Sequence, residues 1–145
     1  MANLDFLDEI ARHLDVQNLV TEGTDIFVNE LPDDPANCVA IFGLIGTTVQ
    51  QQRDVPGLQF PRFQLIVRNT DYNDGADKFQ AIRSALHGMI GRTLPASANT
   101  ASDPYIRVMR CHIETDGGPL GRDDKGRTEF SCNFIAEYHH YDPAP

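Results

Sequence analysis

Two stretches of the chain alternate apolar and polar residues with period two, the spacing of a strand whose faces meet different surroundings. In residues 62–69, Phe63, Leu65 and Val67 fall on one side and Gln64 and Arg68 on the other, with Ile66 breaking the rule. In residues 128–138, Phe130, Cys132, Phe134, Ala136 and Tyr138 alternate with Glu129, Ser131, Asn133 and Glu137. Both read as strands with one buried face. Residues 105–113 read as a third strand, with Tyr105, Arg107, Met109, Cys111 and Ile113 on one side and Ile106, Val108, Arg110 and His112 on the other. A short strand is expected over residues 24–30. The apolar run 38–42 has the length of a strand covered on both faces.

Elsewhere the period lengthens to that of a helix. Leu4, Leu7, Ile10, Ala11 and Leu14 recur at three- and four-residue spacing over residues 3–15, with Asn3 as N-cap and Asp5, Asp8, Glu9, Arg12 and Asp15 mostly on the other faces. A second helix, capped by Asp71 or Asp74, runs to about Met89. Its buried stripe is Ala76, Phe79, Ile82, Ala85, Leu86 and Met89, and Gly91 ends it.

Between these elements, the two prolines of residues 31–35 force a turn. Residues 43–57 form a long connection, 91–103 a small-residue loop, and 115–127 a turn-rich, charged hairpin arm. The order gives an α+β domain: a single mixed, largely antiparallel sheet, two helices packed on one face, long inter-strand loops and a hairpin arm. One domain is expected over residues 1–140, with 141–145 as a C-terminal tail.

Composition narrows the partners. The chain has 145 residues and a net charge of -9, which argues against gripping nucleic acid through a basic patch. It leaves room for a protein through which DNA passes without sticking. The cysteines, Cys38, Cys111 and Cys132, are widely spaced and lack a Cys-x-x-Cys pair, so each is expected as a small buried hydrophobe. The N-terminus is acidic where a signal peptide is basic, and no apolar run approaches the ~18 residues of a membrane span. Synthesis in a reducing cytoplasm and no membrane partner are expected.

No catalytic or ligand motif in the sequence is complete. Residues 71–77 resemble a calcium loop, but Gly75 falls at the fifth position and Ile82 at the twelfth, where a bidentate Glu belongs. Residues 43–48 lack the Lys of a phosphate loop. Cys111 and His112, and His139 and His140, are strand neighbours pointing to opposite faces. His13 and His87 sit on helices, where a polar-face position is expected. No enzyme activity, metal or cofactor is expected.

Several of these segments carry a resemblance. The Leu7, Ile10, Ala11, Leu14 helix, residues 25–35 with the strand after them, residues 61–68 with the following helix, and residues 120–134 resemble the tailed-bacteriophage minor capsid or tail terminator (tail completion) proteins. The resemblance covers most of the chain in element order and leaves out the loops at 43–57 and 91–103. It implies a virion protein that forms a ring, typically a hexamer, at the head-proximal end of the tail tube. Such a ring ends tube polymerisation and joins the tail to the head connector. The implied partners are further copies of the chain, the tail tube protein and a head-tail connector or stopper, with DNA passing through the lumen. Ring contacts need protruding loops, which makes Gln50, Gln51, Gln52 and Arg53 the candidate tube or connector surface and Asp123, Asp124 and Lys125 the candidate subunit boundary. The alternatives are a connector or stopper between portal and tail, and a small hydrolase or ligand-binding domain.

Overall fold

The computed structural model describes residues 5–44, 58–99 and 101–141. The elements follow in the order α1 (Phe6–Val16), β1 (Ile26–Val28), β2 (Cys38–Gly43), β3 (Leu58–Gln59), β4 (Arg62–Asn69), α2 (Tyr72–Leu86), β5 (Met89–Leu94), β6 (Tyr105–Arg122) and β7 (Thr128–Tyr141). One sheet runs β1-β2-β4-β7-β6-β5, with β3 beside the far end of β7. Among the named strands of the described residues only the β1–β2 pairing is parallel, so the sheet is mixed and largely antiparallel. This is the α+β fold expected from the pattern.

The alternation of β4 and β7 is core packing. Phe63, Leu65 and Val67 meet Phe134, Cys132 and Phe130 in register, and all six are buried. A column of rings runs through them to the first helix. Phe134 stacks on Phe63 at 5.2 Å, Phe63 meets Phe6 edge-on at 5.9 Å, and Phe6 stacks on Tyr138 at 4.6 Å. Residues 38–41 are buried on both faces, as their continuous apolar run requires. Helix α1 contacts β1 and β2 near one edge of the sheet and β5 at the other, so the sheet curls around it. Helix α2 lies over β4 and β7.

Several local readings change. The cap of α1 is Asp5, whose carboxylate accepts from the N–H groups of Leu7 at 2.9 Å and Asp8 at 3.2 Å; Asn3 lies outside the described residues. Helix α2 stops at Leu86, short of Met89. Gly88, at φ +86, turns the chain and gives its N–H to the Cys111 carbonyl at 2.8 Å. Met89 therefore opens the edge strand β5, and Gly91 lies inside that strand instead of ending a helix.

In β6, the register shifts between Val108 and Arg110. Met109 is the extra residue, so Ile106, Val108 and Cys111 all reach the core, against the uniform alternation expected for residues 105–113. Finally, residues 115–122 are a continuation of β6 along β7, and the turn is confined to 123–127. Strand β7 likewise runs on to Tyr141, which pairs with Tyr105 and stacks its ring on it.

Candidate functional site: the hairpin arm and the groove beside the first helix

Residues 114–122 of β6 and the turn after them form a largely exposed edge of the sheet, while the β7 residues they pair with are mostly buried. Strand β5 pairs with β6 no farther along than Cys111. Beyond it, residues 114–122 of β6 pair with β7 on one side and have no named strand on the other. An unpaired edge of this length invites pairing unless bulges and Pro break it. Here the register shifts three further times, and Pro119 lies on the edge.

The shift between Pro119 and Gly121 leaves Leu120 without a cross-strand partner and 64% exposed. Bulges re-aim side chains in this way. At Gly117 the two strands nearly touch: a Cβ there would lie 1.7 Å from the Ser131 carbonyl oxygen.

The arm is stiffened by two buried arginines on the 32–36 loop. Arg68, on β4, donates to the carbonyls of Pro32 at 2.5 Å, Pro35 at 2.8 Å and Ala36 at 3.1 Å. Arg127, at the foot of β7, donates to the Asp33 carbonyl at 2.7 Å, the Asp33 carboxylate at 3.0 Å and the Asp123 carboxylate at 2.7 Å. Planar guanidinium groups suit such many-acceptor positions.

Of the candidate boundary residues, Asp123 closes the turn by accepting from the N–H groups of Lys125 at 3.0 Å and Arg127 at 2.8 Å. Lys125 pairs with Asp33, and Asp124 is exposed. The Lys125 hydrogen bond, with that of Arg127, holds the Asp33 carboxyl below its usual range. At Asp123, desolvation pushes the pKa up, and hydrogen bonds from Arg127 and Lys125 outweigh it to leave it lowered. The structure thus brings Asp123, Asp124 and Lys125 together at the arm's end. Gln50, Gln51, Gln52 and Arg53 lie outside the described residues.

A second feature escaped the sequence. A groove of about 200 Å³ lies between α1 and the chain leaving β5, lined by Glu9, Arg12, His13, Val16 and residues 94–97. Glu9 is 2% exposed and His13 is buried too, although helical periodicity places both outside the main apolar stripe. Residues 94–97, far along the chain, line the same groove. Glu9 pairs one carboxylate oxygen with Arg12; the other, Oε2, is buried with no hydrogen-bond partner.

Burial, with a smaller contribution from Arg92, depresses the His13 pKa below its ordinary 6.5. Above that value both folded and unfolded chains hold His13 neutral. As pH falls through it, only the unfolded chain takes up the proton, so stability is lost toward the lower folded-state pKa. The carboxylates Asp33 and Asp123 act in a separate window, below 3.8. The melting temperature of the wild type should therefore drop between pH 7.5 and 5 more than that of His13→Gln, measured by circular dichroism. Equal drops would show that His13 does not carry the effect.

The three cysteines are buried and free, and desolvation raises the Cys111 pKa to about 12, which keeps it a thiol. Among the described residues, no cluster of three or more His, Cys, Asp or Glu side chains could hold a metal ion. No described helix is long and apolar enough to cross a membrane.

The family model for bacteriophage tail terminator proteins matches residues 13–139. The chain belongs to the bacteriophage tail terminator family. That family is structural, and it makes this protein a structural component of the phage tail and hence of the virion. The match takes in β1 through most of β7, including the whole arm and the 32–36 loop that anchors it. No curated protein matches the chain.

Proposed function

We propose that the protein closes into a ring, a hexamer by analogy with the family resemblance, on the head-proximal end of the tail tube. There it ends tube polymerisation and presents a surface to the head connector. The observation that carries this reading is the arm: the exposed outer edge of β6 at residues 114–122, backed by β7 and ending in a turn, Asp123, Asp124 and Lys125, that Arg127 ties to Asp33. A ring needs heterologous contacts, in which one patch meets a different patch on the next copy, and an exposed edge strand with its turn supplies one half of such a contact. In this reading Asp123 and Lys125 shape the arm's end while Asp124 meets the neighbour. Gln50, Gln51, Gln52 and Arg53 meet the tube or connector. The net charge of -9 suits a lumen along which DNA slides.

Two experiments test these assignments. Deleting residues 47–54 should leave a folded protein that joins heads to tails poorly; normal joining would remove that segment from the contact. Negative-stain imaging with isolated head connectors and with tail tubes separates the positions. A ring found only on connectors would make the protein a stopper, and a monomer that binds neither would return attention to a small-ligand role.

A further inference from the structure

Resting on the ring reading, we infer that edge strand β5 of one copy docks into a groove beside β1 of the next. Ile90 covers the apolar floor of that groove, and Arg92 and Arg110 meet its carboxylates. The formal charge is divided unevenly along the chain. Residues 1–40 hold nine Asp or Glu and one Arg, so -8 of the net charge of -9 arises there. Residues 87–112 reverse the balance, with Arg92, Arg107 and Arg110 against Asp103 alone. The fold carries these two segments to the two end strands of one sheet, β1 and β5.

The acidic side is a groove of about 330 Å³ along β1 and α1. Ala11, Phe27 and Val28 give it apolar surface, and Asp8, Glu22 and Glu30 give it carboxylates. Among the described residues, Asp8 and Glu30 are exposed without an ion-pair partner, and Glu22 has only Arg12, at 3.9 Å. On the basic side, Ile90 is 78% exposed, the most of any large apolar side chain among the described residues. Arg110 lies opposite it on β6 and pairs with Glu137 at 2.8 Å, and its neighbour Met109 is exposed too. Arg92 is exposed and makes no ion pair among the described residues. An exposed apolar residue flanked by cations fits an apolar floor flanked by carboxylates, and such complementarity sets which patch meets which.

One copy cannot make this contact with itself, because α1 stands between the two patches. Its Asp8 and Ala11 line the groove beside β1, while its Glu9 and His13 line the groove toward the chain leaving β5. Two unlike patches on opposite flanks of one helix meet head to tail between copies, the arrangement that closes into rings. The contact lies apart from the arm, since β5 pairs with β6 no farther along than Cys111.

The test is a charge swap on assembled protein. One variant carries Asp8→Lys and Glu30→Lys, the other Arg92→Glu and Arg110→Glu; all four sites are exposed, and Ile90 is kept in both. Circular dichroism verifies folding, and a variant that fails is replaced by its single change, Glu30→Lys or Arg92→Glu. Rings on tail tubes are counted by negative stain for the wild type, each variant and an equal mixture of the two. Each variant alone sets like charges against one another and should form rings on the order of tenfold less often than the wild type. In the mixture every groove again meets an edge of opposite charge, so rings that alternate the two variants should return to near the wild-type level. Wild-type ring numbers from either variant alone would overturn the docking contact and leave the ring reading standing. Failure of both variants and of their mixture would mean that the groove meets another protein, and would also overturn it. No rings on tubes from the wild type would overturn both.

Discussion

Gly117→Ala should destabilise the protein by on the order of 3 kcal/mol, while Gly118→Ala, one residue on, should change stability by less than about 0.5 kcal/mol. The contrast comes from where the two Cα atoms sit. A Cβ at Gly117 would lie 1.7 Å from the Ser131 carbonyl oxygen, 2.7 Å from its carbon and 2.9 Å from the Cys132 Cα. All three atoms are backbone, so no side chain can rotate away, and β6 must lift off β7 at that point. At Gly118 a Cβ meets nothing within 4 Å. For a domain of this size, the first substitution corresponds to a fall in melting temperature of about 10 °C, read by calorimetry with Gly118→Ala as the matched control. Equal melting temperatures would show that the strands do not cross so closely at Gly117. Because the pinch lies within the arm, Gly117→Ala should also weaken assembly more than its loss of stability accounts for.

Phe134→Ala should cost about 4 kcal/mol, the largest effect expected of any single truncation in the core. Phe134 is wholly buried on the central strand β7 and stacks on Phe63, itself wholly buried. Removing the ring leaves a cavity between two strands fixed by their ladder, where collapse is limited. It also removes the base of the column that leads through Phe63 to Phe6 and Tyr138. Phe134→Leu keeps most of the volume and should cost no more than about 1.5 kcal/mol. Urea denaturation followed by circular dichroism measures both. A small, equal effect for the two would mean that the column is not the centre of the core.

The parts of the fold legible in the sequence are those where local pattern and final burial agree. Strands β4 and β7 pack one face on helices along their whole paired length, so Phe63 to Val67 and Phe130 to Tyr138 show their period directly. Strand β6 does not, because the unpaired Met109 changes the phase midway and no residue type announces a bulge. The junction of α2 and β5 was obscured because Met89 continues the helical stripe. Gly88 and Gly91 are both at positive φ, so composition could not say which glycine ends the helix.

The site was legible only in outline. Residues 115–127 stood out as a charged arm, but not as a strand pinned by Arg127 to a loop about 90 residues away in sequence. Glu9 and His13 read as solvent-facing helix positions from local periodicity, yet both are buried, beside a groove that residues 94–97 also line.

The central claim, a ring that ends the tail tube, is tested most directly by adding the purified protein to polymerising tail tube protein and imaging tube lengths and ends by negative stain. The expected result is that tubes stop growing as the protein is added and that each stopped tube carries a ring at one end, with fewer rings for Gly117→Ala. Tubes that lengthen at an unchanged rate, with bare ends, would contradict it.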